Sequence, residues 1–139
     1  MGSIVFHYHN TTPGLKNTLL IKSAIARIFT EEQTIFKSLS YIFCTDEFLL
    51  KLNQEYLNHD TLTDILTFNL TGTSLPIVSE IYISVDRVKE NAASLAVPFI
   101  KELYRVMIHG VLHLCGYQDH SPKEKLLMRK KEDHYLTFF

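Results

Sequence analysis

The order of hydrophobic and polar positions predicts a strand followed by a helix at the start of the chain. Over residues 4–9 the two kinds of side chain alternate with a period of two, which is typical of a strand. Over residues 15–29 the apolar positions recur every three or four residues, the spacing of an amphipathic helix. Residues 39–44, rich in aromatic and β-branched side chains, predict a second strand.

The middle of the chain predicts a helix and then two further strands. Thr45, Asp46 and Glu47 suit the amino end of a helix, which we expect to run to about residue 58. Residues 63–70 and 77–85 have the pattern of strands. The loop between them contains glycine and proline, which favours a turn, so the two strands are candidates for a hairpin.

The last third of the chain predicts three helices. Residues 85–95 carry apolar side chains at helical spacing, and Pro98 fits the first turn of the next helix. A continuous apolar stripe extends that helix to Leu114, and Gly116 is suited to end it in a left-handed conformation. The segment Ser121-Pro122-Lys123-Glu124 has the residues of a capping box and opens the last helix.

These elements predict an α+β fold with some α/β character. We expect one domain over residues 1–139, with a small mixed sheet of about four strands covered by about five helices. The pattern does not determine the order of the strands in the sheet.

Composition places the chain among ordinary globular proteins. Of its 139 residues, 46% are hydrophobic and 21% are charged, far from the signature of disorder. Residues 1–10 lack a signal-peptide pattern, and no apolar run is long enough to span a membrane. We therefore expect a cytoplasmic protein without membrane association, in which Cys44 and Cys115 are free thiols.

The net charge of −1 hides an asymmetry between the two halves of the chain. Residues 1–86 contain five Lys and Arg against nine Asp and Glu, or −4, and residues 87–139 contain nine against six, or +3. The second half is the side that could face a polyanion. The charge run at residues 129–133 is interpreted here as a solvated helix face, the usual place of such runs.

Three histidines near the end of the central predicted helix have the spacing of a metal site. His109 and His113 are four residues apart, so both side chains leave the same face of the helix. After the turn at Gly116, His120 can return from the following loop as a third ligand. Three nitrogen ligands with an open fourth position describe a catalytic zinc site, so we expect one zinc ion per chain. On spacing alone, a chance grouping of packed or solvated histidines explains the pattern almost as well as a metal site does.

The residues around these histidines resemble a known family signature. Residues 109–120 read H-G-V-L-H-L-C-G-Y-Q-D-H, similar to the pattern H-G-x-L-H-L-x-G-Y-D-H of the YbeY family of bacterial metal-dependent endoribonucleases. Upstream, residues 53–56 and 60–68 resemble that family's second block, with its T-D-[VI]-L-[ST]-F stretch, and residues 79–84 resemble its acidic strand. The resemblance covers most of the chain from about residue 40 to residue 130.

The chain departs from the family pattern at four positions. Gln118 is an apparent insertion, so the family's third-ligand register holds Asp119, and the histidine follows as His120. We favour His120 as the third ligand because imidazole is the family's ligand type, with Asp119 as the alternative. Leu57 replaces the family's usual Arg, so no phosphate-directed role carries over to it; Leu62 replaces a usual Pro and Ser79 a usual Gly.

The resemblance implies a zinc-dependent endoribonuclease that cuts single-stranded RNA during ribosomal RNA maturation and ribosome quality control. It also implies ribosomal RNA as partner, with ribosomal proteins or a ribosome-associated GTPase as further partners. Zinc held by three protein ligands lowers the pKa of water and polarises a phosphoryl oxygen, which suits phosphodiester cleavage.

Two residues are candidates for a catalytic or supporting role. Arg105 lies four residues before His109 and could hold a phosphate near the metal, although a plain surface cation is an equally good interpretation. Asp64 could orient a ligand histidine through its second ring nitrogen, or it could only cap a turn.

Two other functions stay open at this point. One is a metalloprotease-like hydrolase, although such enzymes need a Glu directly after the first histidine and this chain has Gly110. The other is a non-catalytic, ribosome-associated RNA-binding factor, which the replacement at Leu57 keeps open.

Overall fold

The computed structural model describes residues 2–57 and 63–139 and contains the nine elements that the sequence predicts. Within these ranges the elements are, in chain order, β1 (Ser3–Tyr8), α1 (Thr18–Glu31), β2 (Phe36–Cys44), α2 (Asp46–Leu57), β3 (Ile65–Asn69), β4 (Ile77–Ser84), α3 (Val85–Leu95), α4 (Phe99–Leu114) and α5 (Pro122–Leu136). The predicted α+β class is confirmed. Asn58 and the first part of the family's second block, residues 60–62, lie outside the described residues.

The four strands form one mixed sheet in the order β1-β2-β4-β3. β2 runs parallel to β1 and to β4, whereas β3 and β4 are antiparallel neighbours and form the expected hairpin. Because β2 and β4 are the two inner strands, both of their faces are covered or half-covered, and their side chains are the most deeply buried of the sheet.

The main core lies on one face of the sheet, beneath α1, α4 and α5. Leu39, Tyr41 and Ile81 of the inner strands are fully buried there. The hydroxyl of Tyr41 donates a hydrogen bond of 2.9 Å to the carbonyl oxygen of Met107, which satisfies this buried polar group and ties α4 to β2. A smaller cluster around Leu49 lies beneath α2 on the opposite face.

Close packing between α4 and the sheet depends on Gly110. A Cβ at this position would lie 2.7 Å from Cδ1 of Ile81 and 3.0 Å from Cδ1 of Ile65. The glycine therefore lets the helix backbone approach β3 and β4, which places the neighbouring His109 beside the start of β3.

The ends of the helices differ from the predicted ones by a few residues. α1 begins at Thr18 because Asn17 has a left-handed conformation, with φ 54°, which interrupts the apolar pattern that begins at residue 15. Pro98 is the N-cap of α4, one residue before the first turn. Gly116 has φ +103° and follows the end of α4, as predicted, and the capping box at Ser121 is formed.

Candidate metal centre

His109 and His113 leave the same face of α4 and direct one ring nitrogen each toward a common point. The two Nε2 atoms lie 2.9 Å apart. The other ring nitrogen of each residue has its own acceptor: Nδ1 of His109 is 2.7 Å from Oε2 of Glu132, and Nδ1 of His113 is 2.9 Å from the carbonyl oxygen of Tyr117.

These partners determine which nitrogen carries the proton. A carboxylate and a carbonyl oxygen only accept hydrogen bonds, so both Nδ1 atoms are the donors and both Nε2 atoms carry lone pairs. Two lone pairs that face each other at 2.9 Å repel unless a proton or a cation lies between them. Histidines that bind a metal have this arrangement, with the distal N–H held by a carboxylate or a carbonyl group.

Asp119 completes a group of three ligand atoms with the two histidines. Its Oδ2 lies 3.7 Å from Nε2 of His109, and one ligand atom from each of the three residues lies within 4.8 Å of the others. Ligands at about 2.0–2.1 Å from a tetrahedral zinc are about 3.3 Å from each other. The separations of 2.9 Å and 3.7 Å fall on either side of that value, so the donor set fits a small divalent cation.

His120, the third ligand that the sequence favours, is outside this group. Its side chain is exposed, and its backbone N–H is 3.2 Å from Oε1 of Glu124. The physical reason is the capping box of α5, in which Glu124 bonds the backbone of residues 120 and 121 and so fixes the chain there. The structure instead places Asp119, the alternative third ligand, beside His109 and His113. Asp119 occupies the position of the third ligand in the family pattern.

Glu132 of α5 supports His109 and is itself held by Arg105. Nη1 of Arg105 lies 3.0 Å from Oε1 of Glu132, and Nη2 lies 2.7 Å from Oδ1 of Asp133. With both of its amino groups engaged and little of its side chain exposed, Arg105 stabilises the carboxylate that orients His109. These contacts do not fit a plain surface cation, and because Arg105 also lines the pocket beside His109, its phosphate-directed role stays a prediction.

Tyr117 supports His113 from the other side of the centre. Its hydroxyl donates to Oε1 of Glu32 at 2.7 Å, while its carbonyl oxygen accepts from His113. Glu32 directly follows α1 and also accepts from Tyr135 and from Lys131 of α5. Three separate parts of the fold therefore meet at one carboxylate, which holds the loop after α4 against α1 and α5.

Electrostatics distinguish the two histidines. Burial lowers the pKa of His109, but the hydrogen bond and charge of Glu132, with Asp119 and Asp64 nearby, raise it overall above the ordinary value of 6.5. Burial and the neighbouring His109 lower the pKa of His113 below that value. Without a metal, the first proton that enters the pair therefore resides on His109.

A pocket of about 360 Å³ opens beside the centre. His109 and Asp119 line it together with α5 and the start of β3, where Asp64 lies. Burial raises the pKa of Asp64 and that of Glu102, the neighbouring carboxyl on α4, and the charge of Asp64 raises the pKa of Glu102 further. Asp64 lies in the pocket wall, and the role of orienting a ligand histidine belongs to Glu132 and to the Tyr117 carbonyl instead.

Sequence reasoning missed Glu132, Tyr117 and Glu32. Glu132 lies in the charge run that the sequence analysis assigns to a solvated face, yet only 5% of its surface is exposed. The signal that could have found it is its position: Met128, Glu132 and Tyr135 recur at helical spacing on the buried side of α5. Glu32, at the end of α1, carries no comparable signal.

Comparison with known proteins identifies the family. The family model described as "Endoribonuclease YbeY" matches residues 9–139. The chain belongs to this family. The YbeY resemblance of residues 109–120 is thereby confirmed, and the predicted enzyme class, an endoribonuclease, is the class of the family.

Individual YbeY relatives align over most of the chain. Endoribonuclease YbeY of Flavobacterium psychrophilum is 50% identical over 115 residues, which are 83% of this chain and 81% of the relative. Its counterpart in Flavobacterium johnsoniae is 43% identical over 136 residues, 98% of this chain and 96% of the relative. The solution structure of TM1509 from Thermotoga maritima matches with a TM-score of 0.67 at 29% identity, covering 98% of this chain and 88% of that one.

Within residues 2–57 and 63–139, none of the helices is both long and apolar enough to cross a membrane.

Proposed function

We propose that this YbeY chain is a zinc-dependent endoribonuclease specific for single-stranded RNA, which acts in the cytoplasm in ribosomal RNA maturation and ribosome quality control. The observation that carries this proposal is the pair of Nε2 atoms, 2.9 Å apart, beside the carboxylate of Asp119. The Nδ1 atom of each histidine donates its proton to another group, so both Nε2 atoms are available as ligands. The relatives named endoribonuclease YbeY support RNA as the substrate.

Each residue of the centre has a defined task in this proposal. His109, His113 and Asp119 hold the metal, and Glu132 and the Tyr117 carbonyl keep the two imidazoles in the tautomer that presents Nε2. A divalent metal supplies Lewis acidity toward a phosphoryl oxygen and lowers the pKa of water. Two nitrogens and one carboxylate form the type of three-residue ligand set that catalytic zinc sites use.

The pocket beside the centre supports a substrate that is larger than a free phosphate group. With about 360 Å³, it falls within the usual range for ligand pockets, roughly 300–1,000 Å³. His109 and Asp119 lie in its wall, so a phosphodiester placed in it would be next to the metal ligands.

The geometry at Gly110 disfavours the metalloprotease alternative. A protease of the H-E-x-x-H type carries its general base at this position. A Cβ there would lie 2.7 Å from Ile81 and 3.0 Å from Ile65 in the packed interface between α4 and the sheet. A glutamate at this position would point into the core rather than toward a substrate.

The experiment measures cleavage of a labelled single-stranded RNA and of the same strand in a duplex, with zinc and with a chelator. We expect zinc-dependent cleavage of the single strand and much slower cleavage of the duplex. RNA binding without any metal-dependent cleavage would contradict the proposal and favour the non-catalytic, ribosome-associated factor. Ribosomal proteins or a ribosome-associated GTPase as partners stay predictions.

A further inference from the structure

One wall of the pocket beside the metal centre is formed by α5 and is cationic. Lys125 and Arg129 both line this pocket together with His109 and Asp119. They are four residues apart on α5, so their side chains leave the same face of the helix, one turn from each other. Both side chains are exposed at the pocket rim.

The charges of Lys125 and Arg129 are largely uncommitted. Lys125 forms no ion pair with any other residue in the described ranges 2–57 and 63–139. Nη1 of Arg129 lies 3.9 Å from Oε1 of Glu132, which is a long ion pair. The Arg129 side chain is 58% exposed. Glu132 has closer partners in Arg105 and His109, at 3.0 Å and 2.7 Å. Arg129 is therefore free to pair with an anion that enters the pocket.

The carboxylates of the same pocket are already engaged or buried. Asp119 belongs to the metal centre, and Glu132 is bound by Arg105 and His109. Glu102 is buried in the wall that α4 contributes, and Asp64 is partly buried at the start of β3. Among the described residues that line the pocket, Arg105 is already bound by Glu132 and Asp133, which leaves the two exposed cations of α5 to meet an incoming anion.

We propose that Lys125 and Arg129 form a phosphate-binding wall that holds the backbone of the RNA substrate beside the metal centre. Arginine and lysine are the residues that commonly pair with backbone phosphates, and such contacts position a nucleic acid without reading its sequence. This inference rests on the proposed function, because it assumes an RNA substrate. It also explains which part of the positively charged second half of the chain faces a polyanion.

The test compares two double variants with equal changes in charge. Lys125→Ala with Arg129→Ala removes the pocket cations, and Lys123→Ala with Lys130→Ala removes two exposed cations of the same helix that do not line this pocket. Binding of a fluorescently labelled single-stranded RNA to the full chain is measured by anisotropy in the presence of chelator, over a series of salt concentrations. Zinc content and the circular dichroism spectrum verify that both variants are folded with an intact centre.

We expect the pocket variant to bind the RNA at least about tenfold more weakly, and its salt slope to fall by about 1.4 because two phosphate contacts are lost. The control variant is expected to stay within about threefold of the wild-type affinity. With zinc present, the pocket variant should have a higher KM for RNA cleavage than the wild type and nearly the same kcat. Equal weakening by both variants, or none by the pocket variant, would overturn the inference.

These outcomes are distinct from a failure of the proposed function. If the wild type cleaves RNA with zinc but the pocket variant binds and cleaves like the wild type, only the inference about α5 fails. If the wild type does not cleave RNA with any divalent metal, the proposed function fails, and the binding comparison still decides the role of the two cations.

Discussion

The carbonyl oxygen of Tyr117 lies 2.9 Å from Nδ1 of His113, while the hydroxyl of the same Tyr117 donates to Glu32. Tyr117 therefore connects His113, a proposed metal ligand, to the Glu32 carboxylate at the end of α1. The position of His113 depends on the loop that follows α4, because the carbonyl of Tyr117 decides which ring nitrogen carries the proton.

Removing the Tyr117 hydroxyl tests this connection. In Tyr117→Phe the loop loses its bond to Glu32, so the carbonyl that orients His113 is less firmly placed, and we expect the dissociation constant for zinc to rise about tenfold. Competition with a chromophoric chelator measures this constant. The unfolding free energy should fall by about 1 kcal/mol.

Tyr135→Phe is the matched control for that variant. Tyr135 also donates its hydroxyl to Glu32, but its backbone carbonyl accepts a hydrogen bond from Phe138 and not from His109 or His113. We expect a similar loss of stability, about 1 kcal/mol, with unchanged zinc affinity. If both variants lose zinc affinity equally, the effect comes from general loosening of the fold and Tyr117 has no positioning role.

The contact between Glu132 and His109 gives a second prediction. Glu132→Gln keeps the shape of the side chain but removes the charge that Arg105 and His109 share, so we expect zinc affinity to fall about 10- to 100-fold. Asp133→Asn is the control, because Asp133 pairs with Arg105 and does not touch His109. A Glu132→Gln variant that binds zinc like the wild type would mean that the carboxylate does not support the ligand.

The Glu32 carboxylate gives a prediction for how the stability of the fold depends on pH. Burial alone raises the pKa of Glu32, but hydrogen bonds from Tyr135, Tyr117 and Lys131 together lower it below the ordinary 4.5. A group whose pKa is lowered by folding stabilises the protein above its unfolded pKa, and this contribution is lost as the pH falls through the folded pKa. The ionised form of Glu32 is therefore the stabilising one.

We expect Glu32→Gln to lower the unfolding free energy by about 1–3 kcal/mol near neutral pH. The difference from the wild type should shrink as the pH falls below 4.5, since the wild-type carboxylate then also becomes neutral. Urea unfolding at a series of pH values measures both quantities. A difference that stays constant over the acid range would rule out ionised Glu32 as the source of the stabilisation.

Local sequence patterns predicted the elements of this fold well. Each of the four strands and five helices was expected near its observed place, since each has a clear hydrophobic period and its own turn or cap residues. The strand order β1-β2-β4-β3 was not predictable. It depends on long-range pairing between β2 and β4, such as Tyr41 with Ile81, and periodicity within one segment does not encode such pairing.

The candidate site was predictable only where its residues are adjacent in sequence. His109 and His113 share one helix, so their spacing already places them together. The choice between Asp119 and His120 depends on the direction of a loop, which is fixed by the capping interaction of Glu124. Glu132 contacts His109 from α5, and Glu32 contacts Tyr117 from the end of α1, so only the folded chain brings these carboxylates to the centre and its loop.

The central claim is that His109, His113 and Asp119 hold the metal and that His120 does not. Elemental analysis of the purified chain and of His109→Ala, His113→Ala, Asp119→Ala and His120→Ala tests it most directly. We predict about one zinc per chain for the wild type and for His120→Ala, with a large loss in the other three variants. Retention of zinc in Asp119→Ala together with its loss in His120→Ala would contradict the account.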